Sequence, residues 1–288
     1  MDVVFRSGKL NLINVINDIV EEYRGYGFML TARQIYYRLV VTNVIENDEK
    51  NYKIITKLIN DGKLAGYIDW DMIEDRTRGF KGRQHWTSPS GILSSAARSY
   101  HEDMWNEQDY RLFAIVEKDA LFGVLNRACY KYDVPLLSAR GYPSGTALRE
   151  FVEGHVLSNS RQHIHIIHLG DHDPSGLDMT RDLEERIAMF CFGEVDRISL
   201  TRIALNMDQI ADQKPPPNPA KITDSRAKQY MRTYGQSSWE LDALNPMYLD
   251  RILSEEIEKY IDFSLWNEKQ INIMHTQKHI LDFTETFK

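Results

Sequence analysis

The sequence predicts an α/β protein: an N-terminal unit of winged helix-turn-helix type, a mostly parallel βαβ sheet, and a helical C-terminal tail. Three observations predict it. From about Tyr110, short apolar runs alternate with helical patterns, the succession that builds a parallel sheet with right-handed crossovers. Ahead of that, three helix-like segments lead into a short aromatic stretch of β character. Two apolar runs, Leu112–Asp119 and Ile166–Gly176, also stop in carboxylates where strands would end and helices begin.

Taken in order, Leu10, Ile13, Ile16, Val20 and Tyr23 recur at helical spacing over residues 10–24. The Gly25-Tyr26-Gly27 break follows. Thr31-Ala-Arg-Gln34 is a Thr-x-x-Gln capping box that starts a helix at about Ala32. A third helix is expected over Glu49–Gly62, with Lys50, Lys53 and Lys57 on one face and Tyr52, Ile55, Leu58 and Ile59 opposite. Residues 66–74 read as a strand pair or wing, so this third helix is the one expected in a DNA groove. A solvated helix side is the alternative reading of the lysine face. Residues 88–109 form a linker, mostly helix. The rear half then reads as strand 111–117, helix 119–131, strand 134–138, helix 145–157, strand 163–169, helix 175–191 and strand 195–204. Lys214-Pro-Pro-Pro-Asn-Pro-Ala220 is a stiff extended loop, and residues 224–288 are mainly helical, with apolar spacing from Leu249 through Ile261. The expected domains are therefore 1–87, 88–109 and 110–288.

Composition narrows the class. An apolar fraction of 42% over 288 residues suffices for one large core or two medium ones. No stretch approaches the roughly 20 apolar residues of a membrane span, and Met1-Asp-Val-Val-Phe-Arg6 lacks the look of a leader, so a cytoplasmic, nucleoid-associated protein is expected. Cys129 and Cys191 each sit in an apolar helical pattern, as buried thiols do, which argues against a disulfide or a thiolate zinc site. The net charge of −7 divides unevenly: residues 1–100 carry +2 and the remainder −9, with five basic residues and no acid from Arg76 to Arg98. A basic front half and an acidic rear half suit an anionic polymer held by the first and processed at cations by the second.

Two constellations carry chemistry. Glu117 closes one strand and Asp171-His172-Asp173 the next but one, flanked by Gly170 and Gly176. In an open parallel sheet, ligands gather at strand C-termini, and three acids there make an oxygen-rich pocket for a hard cation, Mg²⁺ or in its place Mn²⁺. On the second helix, Arg33 and Tyr37 lie four residues apart on one face, while Ile35 and Leu39 point into the core. Such an arginine can bind phosphate and favour a phenolate that otherwise forms near pH 10, making a tyrosine beside it, Tyr36 or Tyr37, a candidate nucleophile for a phosphodiester. Two tyrosines on such a helix also serve simply as packing residues.

Val116-Glu-Lys-Asp119, Gly141-Tyr-Pro143 and Gly170-Asp-His-Asp-Pro-Ser-Gly176 resemble the Toprim domain of the catalytic (A) subunit of topoisomerase VI and of its eukaryotic relative, the transesterase that makes meiotic double-strand breaks. Thr31-Ala-Arg-Gln-Ile-Tyr-Tyr37 is similar to that family's Arg-Asp/Glu-Ile-Tyr-Tyr signature, and the motifs fall in the family's order over about residues 10–205. The resemblance implies Tyr37 as nucleophile, Arg33 as the phosphate-binding or activating residue, and Glu117, Asp171 and Asp173 as Mg²⁺ ligands. It also implies a homodimer on double-stranded DNA, the tyrosine of one subunit working with the metal site of the other and leaving protein on each 5′ end. The chain is most similar to the short stand-alone “mini-A” relatives associated with mobile elements, for which an ATPase B-type subunit is permitted but not implied. A Toprim nuclease using metal-activated water, as in some defence systems, is the alternative. A DNA-binding accessory protein with a vestigial pocket is the third reading.

Several residues depart from the pattern or fall outside it. His172 stands where the family has a small residue. His163 and His165 would share a strand face; a zinc site there is conceivable, and a polar strand edge is the simpler reading. Glu240 and Asp242 are expected to make caps and salt bridges rather than a further metal contact, and Gly141-Tyr-Pro143 to shape a turn beside the metal site.

Overall fold

In the computed structural model, which describes residues 5–74, 83–158, 161–191 and 195–284, the chain has a four-stranded parallel sheet packed on both faces by helices. The strands are β3 (Tyr110–Val116), β4 (Leu136–Ser138), β5 (His163–Leu169) and β6 (Ile198–Ala204), in the order β4-β3-β5-β6. Parallel neighbours need crossovers. These are α5 (Phe122–Lys131) from β3 to β4, α6 (Gly145–Phe151) with a π-helical turn at Val152–Val156 from β4 to β5, and α7 (Pro174–Phe190) from β5 to β6.

Handedness sets the layers. The first crossover moves one way across the sheet and the other two move back, so right-handed turns put α5 on one face and α6 and α7 on the other. The strands alternate to match. Leu112, Ala114 and Val116 join the α5 side, while Phe113 and Ile115 join Leu148 of α6 and Leu183 and Ile187 of α7. The connections leave β3 and β5 in opposite directions, so the crevice beyond their C-termini is the switch point where such sheets bind ligands.

The N-terminal helices are α1 (Ser7–Gly25), α2 (Ala32–Val41) and α3 (Glu49–Leu64). The capping box holds: Thr31 N donates to Gln34 Oε1 at 2.8 Å and Gln34 N to Thr31 Oγ1 at 3.3 Å. The expected wing is not formed among the described residues. β1 (Leu30–Thr31) pairs in parallel with β2 (Ile73–Glu74), so the segment returns to the start of α2 instead of making a hairpin. Arg76, Arg78 and Lys81 of the basic run lie outside the described residues. On α3 the lysine face is solvated, with Lys53 paired to Glu49 at 2.6 Å and Lys57 to Asp61 at 2.9 Å.

Of the expected linker helix only α4 (Pro89–Ser99) is helical; it packs on the long α11 (Phe263–Thr284). Beyond it Trp105 is fully buried, donating Nε1–H to Tyr132 O at 2.8 Å and meeting Trp266 edge-on. The tail adds α8 (Met207–Gln213), β7 (Asn218–Pro219), α9 (Ala227–Tyr234), β8 (Ser237–Ser238) and α10 (Pro246–Glu258). One apolar cluster runs from Ile16 and Ile35 through Leu112 and Leu125 to Leu249 and Trp266, so the N-terminal helices and one sheet face share a single core. No helix among the described residues is long and apolar enough to cross a membrane.

Thr31→Ala should cost about 1 kcal/mol, the usual worth of an N-cap, measured as a lower urea midpoint with an unchanged slope.

Candidate active site

The acids meet where the topology directs them. β3 and β5 are neighbours in register, Val116 opposite Leu169, so Glu117 and Gly170-Asp171-His172-Asp173 leave adjacent strand ends. Glu117 N donates to Leu169 O at 2.9 Å, and Asp171 N to Glu117 Oε2 at 2.9 Å. This approach depends on two glycines. A Cβ on Gly176 would stand 2.3 Å from Asp171 O, and one on Gly170 would stand 3.1 Å from Glu117 Oε2. Asp173 caps α7, its Oδ1 accepting from Gly176 N at 2.6 Å and from Ser175 Oγ at 2.8 Å.

A third segment completes the cluster. His172 and Trp239 exchange backbone hydrogen bonds of 2.9 and 3.0 Å, laying the tail beside the acid loop. Leu241 N then donates to Asp171 Oδ1 at 2.8 Å. Glu240 and Asp242 are thereby delivered to the same place, and both make ion pairs. Lys118 Nζ lies 2.7 Å from Asp171 Oδ2, 2.8 Å from Glu240 Oε2 and 3.5 Å from Asp242 Oδ1. Arg33, reaching in from α2, contacts Glu240 Oε2 through Nη2 and stands 2.6 Å from Asp242 Oδ2 through Nε. The helical and sheet parts are thus joined by charge, reinforced by Arg38 Nη2 donating to Ala243 O at 2.5 Å.

Tyr37 faces this cluster from the same chain. Tyr37, Arg33, Lys118, Glu117, Asp171 and Asp173 all line one cavity of about 730 Å³, within the usual range for ligand sites. The pair of tyrosines is resolved by hydrogen bonding. Tyr36 donates its hydroxyl to Asn47 Oδ1 at 2.9 Å and contacts Asp48 O, fastening the start of α3, whereas Tyr37 meets the Asn218 side chain and feels the charge of the buried Asp242.

The expected activation of Tyr37 is outweighed. Burial raises its pKa far above the ordinary phenol value, and the Asp242 charge adds to that. Arg33, with its Cζ 5.9 Å from the ring centroid, pulls the other way but is already committed to Glu240 and Asp242. Burial, followed by the Asp171 charge, raises the Glu117 carboxyl to about 7. Asp171 is raised chiefly by burial and is opposed by Lys118.

For a divalent cation the chemistry of the donors fits: three carboxylates, hard oxygen ligands, around a glycine cradle that brings Glu117 and Asp171 together. The side chains as they stand do not yet enclose an ion. Among the described residues no three His, Cys, Asp or Glu groups converge on one point, and the Lys118 ammonium occupies Asp171 Oδ2.

The histidines are separate. β5 is a central strand, so they are not on a sheet edge, and alternation divides them. His163 is exposed beside Tyr110, while His165 stacks on Tyr260 at 4.2 Å and bonds Ser199. His168 points to Thr180 on the opposite face, where burial and Arg202 lower its pKa to about 3. His172 bonds the Tyr230 hydroxyl.

Sequence reasoning missed Lys118, Arg202 and Asn218. Arg202 donates to Gly170 O at 2.8 Å, Asp171 O at 2.6 Å and Gly176 O at 3.0 Å, holding the acid loop from behind. Its signal was a lone arginine near the end of an otherwise β-like strand. Gly141, in the left-handed region at φ 99°, makes the expected turn and donates to Glu117 O at 3.3 Å. Compared with known proteins, the chain matches no family model and no curated protein.

Two outcomes are expected. Gly176→Ala should destabilise the fold by about 2 kcal/mol or more, because backbone must move to admit the methyl group; chemical denaturation measures this. Glu117 holds a proton up to about pH 7 in the folded chain but only to about 4.5 when unfolded. Folded chains then bind more protons in that window, so metal-free stability should fall as pH rises from 5 through 7. Urea midpoints of Glu117→Gln should be flatter over the same range.

Proposed function

We propose that the protein is a Mg²⁺-dependent DNA transesterase of the type that the resemblance to the topoisomerase VI A subunit implies, cutting duplex DNA through Tyr37. The observation that carries this reading is the common cavity: the candidate nucleophile, an arginine and three carboxylates open onto one space in one chain. Composition alone would not bring those groups together.

In the proposed reaction Arg33 binds the scissile phosphate, orients it toward Tyr37 and offsets its charge. The Tyr37 oxygen bonds to phosphorus as the bond to the 3′ oxygen breaks. The phenolic proton is lost and the departing 3′ oxygen gains one, leaving a 5′-phosphotyrosyl end and a free 3′-hydroxyl. Reversal reseals the strand with no external energy source. Glu117, Asp171 and Asp173 would hold the cation, which when bound supplies positive charge for the phosphate oxygens. Tyr37 must be less buried, or Arg33 released from its carboxylates, before the phenol reacts near neutral pH. Incoming phosphate does the second by competing for the guanidinium.

Two strands require two sites, and hence a homodimer. Grouping of the tyrosine and the acids within one chain supports a complete site in each copy, in place of the sharing implied by the resemblance. A second reading, hydrolysis by a Toprim nuclease, is favoured by the same burial of Tyr37, which suits a packing residue.

Supercoiled plasmid incubated with protein and Mg²⁺, stopped with detergent and run with and without protease, separates the readings. Transesterification predicts linear DNA that enters the gel only after protease and falls at least about a thousandfold in Tyr37→Phe, as expected for loss of a nucleophile. Free ends in both proteins would establish hydrolysis. Mixing Tyr37→Phe with Asp171→Ala should restore no cleavage if each copy holds its own site; restored nicking would show that the sites are shared.

A further inference from the structure

We propose that Glu240 is an internal place-holder for a phosphate oxygen, and that Arg33 and Lys118 together form the anion seat it occupies. This rests on the reading of the Tyr37 cavity as a site for the DNA backbone, and it adds to that reading a second phosphate-binding residue and the group that occludes it.

The geometry points to displacement. One oxygen, Glu240 Oε2, serves both the Arg33 guanidinium and the Lys118 ammonium, the latter at 2.8 Å. The two cations come from different parts of the chain, α2 and the end of β3, and share a wall of the cavity with Tyr37. An anionic oxygen bridging an arginine and a lysine is the arrangement a phosphodiester would make, with the fork of the guanidinium and the point charge of the ammonium on different oxygens.

Exposure separates the two tail acids. The Asp242 side chain is 0% exposed and sits behind the cations, 2.6 Å from Arg33 Nε and 3.5 Å from Lys118 Nζ. The Glu240 side chain is 25% exposed and lines the cavity. Glu240 can turn out to water, whereas Asp242 cannot. When a phosphate enters, Asp242 keeps both cations oriented and partly neutralised while Glu240 gives up its place. Lys118, drawn to the phosphate, moves away from Asp171 Oδ2 and leaves that oxygen for the cation. Phosphate entry and completion of the acid site would then be one event.

The test is equilibrium binding of a short fluorescein-labelled DNA duplex in EDTA, followed by anisotropy, for wild type, Glu240→Gln, Lys118→Met and the double variant. Circular dichroism checks folding, and Glu240→Ala serves as a second form of the first substitution. Glu240→Gln should bind about tenfold more tightly, the worth of one charge-assisted contact freed for the ligand. In the Lys118→Met background that gain should shrink to about threefold or less. Equal gains in both backgrounds would reduce Glu240 to a diffuse repulsive charge and overturn the proposal. Unchanged or weaker binding by Glu240→Gln would do so too, as would absence of DNA binding by all four proteins. Covalent cleavage without this coupling would leave the transesterase standing and remove the place-holder. Coupling without covalent product would do the reverse.

Discussion

The site depends on one buried carboxylate. Asp171, in the loop just past β5, takes Lys118 from the loop past β3 on one oxygen and accepts the Leu241 amide from the tail on the other. A carboxylate at 6% exposure is costly unless both oxygens are answered, and here a charge and a backbone N–H answer them. Everything nearby follows from that need. The amide fixes the tail at Leu241, and Glu240 and Asp242 on either side of it then meet the cations. Arg202 neutralises the loop from behind while satisfying the carbonyls of Gly170 and Asp171. Removing Asp171 would therefore strand Lys118 and free the tail, as well as subtracting a ligand.

As it stands, the cavity has two of its cations engaged internally. Arg33 and Lys118 are held by Glu240, Asp242 and Asp171, and the Tyr37 phenol is kept protonated by burial. Ion pairs withdrawn from water contribute little net stability compared with well-packed apolar groups of similar volume. Such a network adds little to the stability of the fold, which the shared apolar core already supplies.

Local order was legible in the sequence. The capping box located α2, short continuous apolar runs located β3 and β5, and the carboxylates closing those runs pointed to Glu117, Asp171 and Asp173. Long-range order was less so. Nothing periodic announces that Trp239 will pair with His172, so Glu240 and Asp242 read as ordinary tail acids. Residues 66–74 had strand-like composition, but their partner proved to be the two residues before α2, a pairing fixed by the packing of Ile73 and Leu30 into the core. The histidines of β5 looked like a group because they are close in sequence, whereas strand alternation sends His165 and His168 to opposite faces. Lys118 adjoins Glu117 in the sequence, but its role comes from Glu240 and Asp242 of the tail, whose approach no local pattern announces.

The continuous apolar cluster has a mechanical consequence. It runs from α1 and α2 onto the sheet beside the Arg33 and Arg38 contacts, and Arg127 adds to it by stacking on Phe28 and donating to Tyr26 O at 2.6 Å. Swinging the tyrosine helix away from the acids would expose that surface at about 25 cal/mol per Å². The spacing between Tyr37 and the acid loop is thus tied to the stability of that shared core. Changes in the cavity itself fall to side chains at its rim, such as the part-exposed Glu240, which rearrange on timescales far shorter than domain motion.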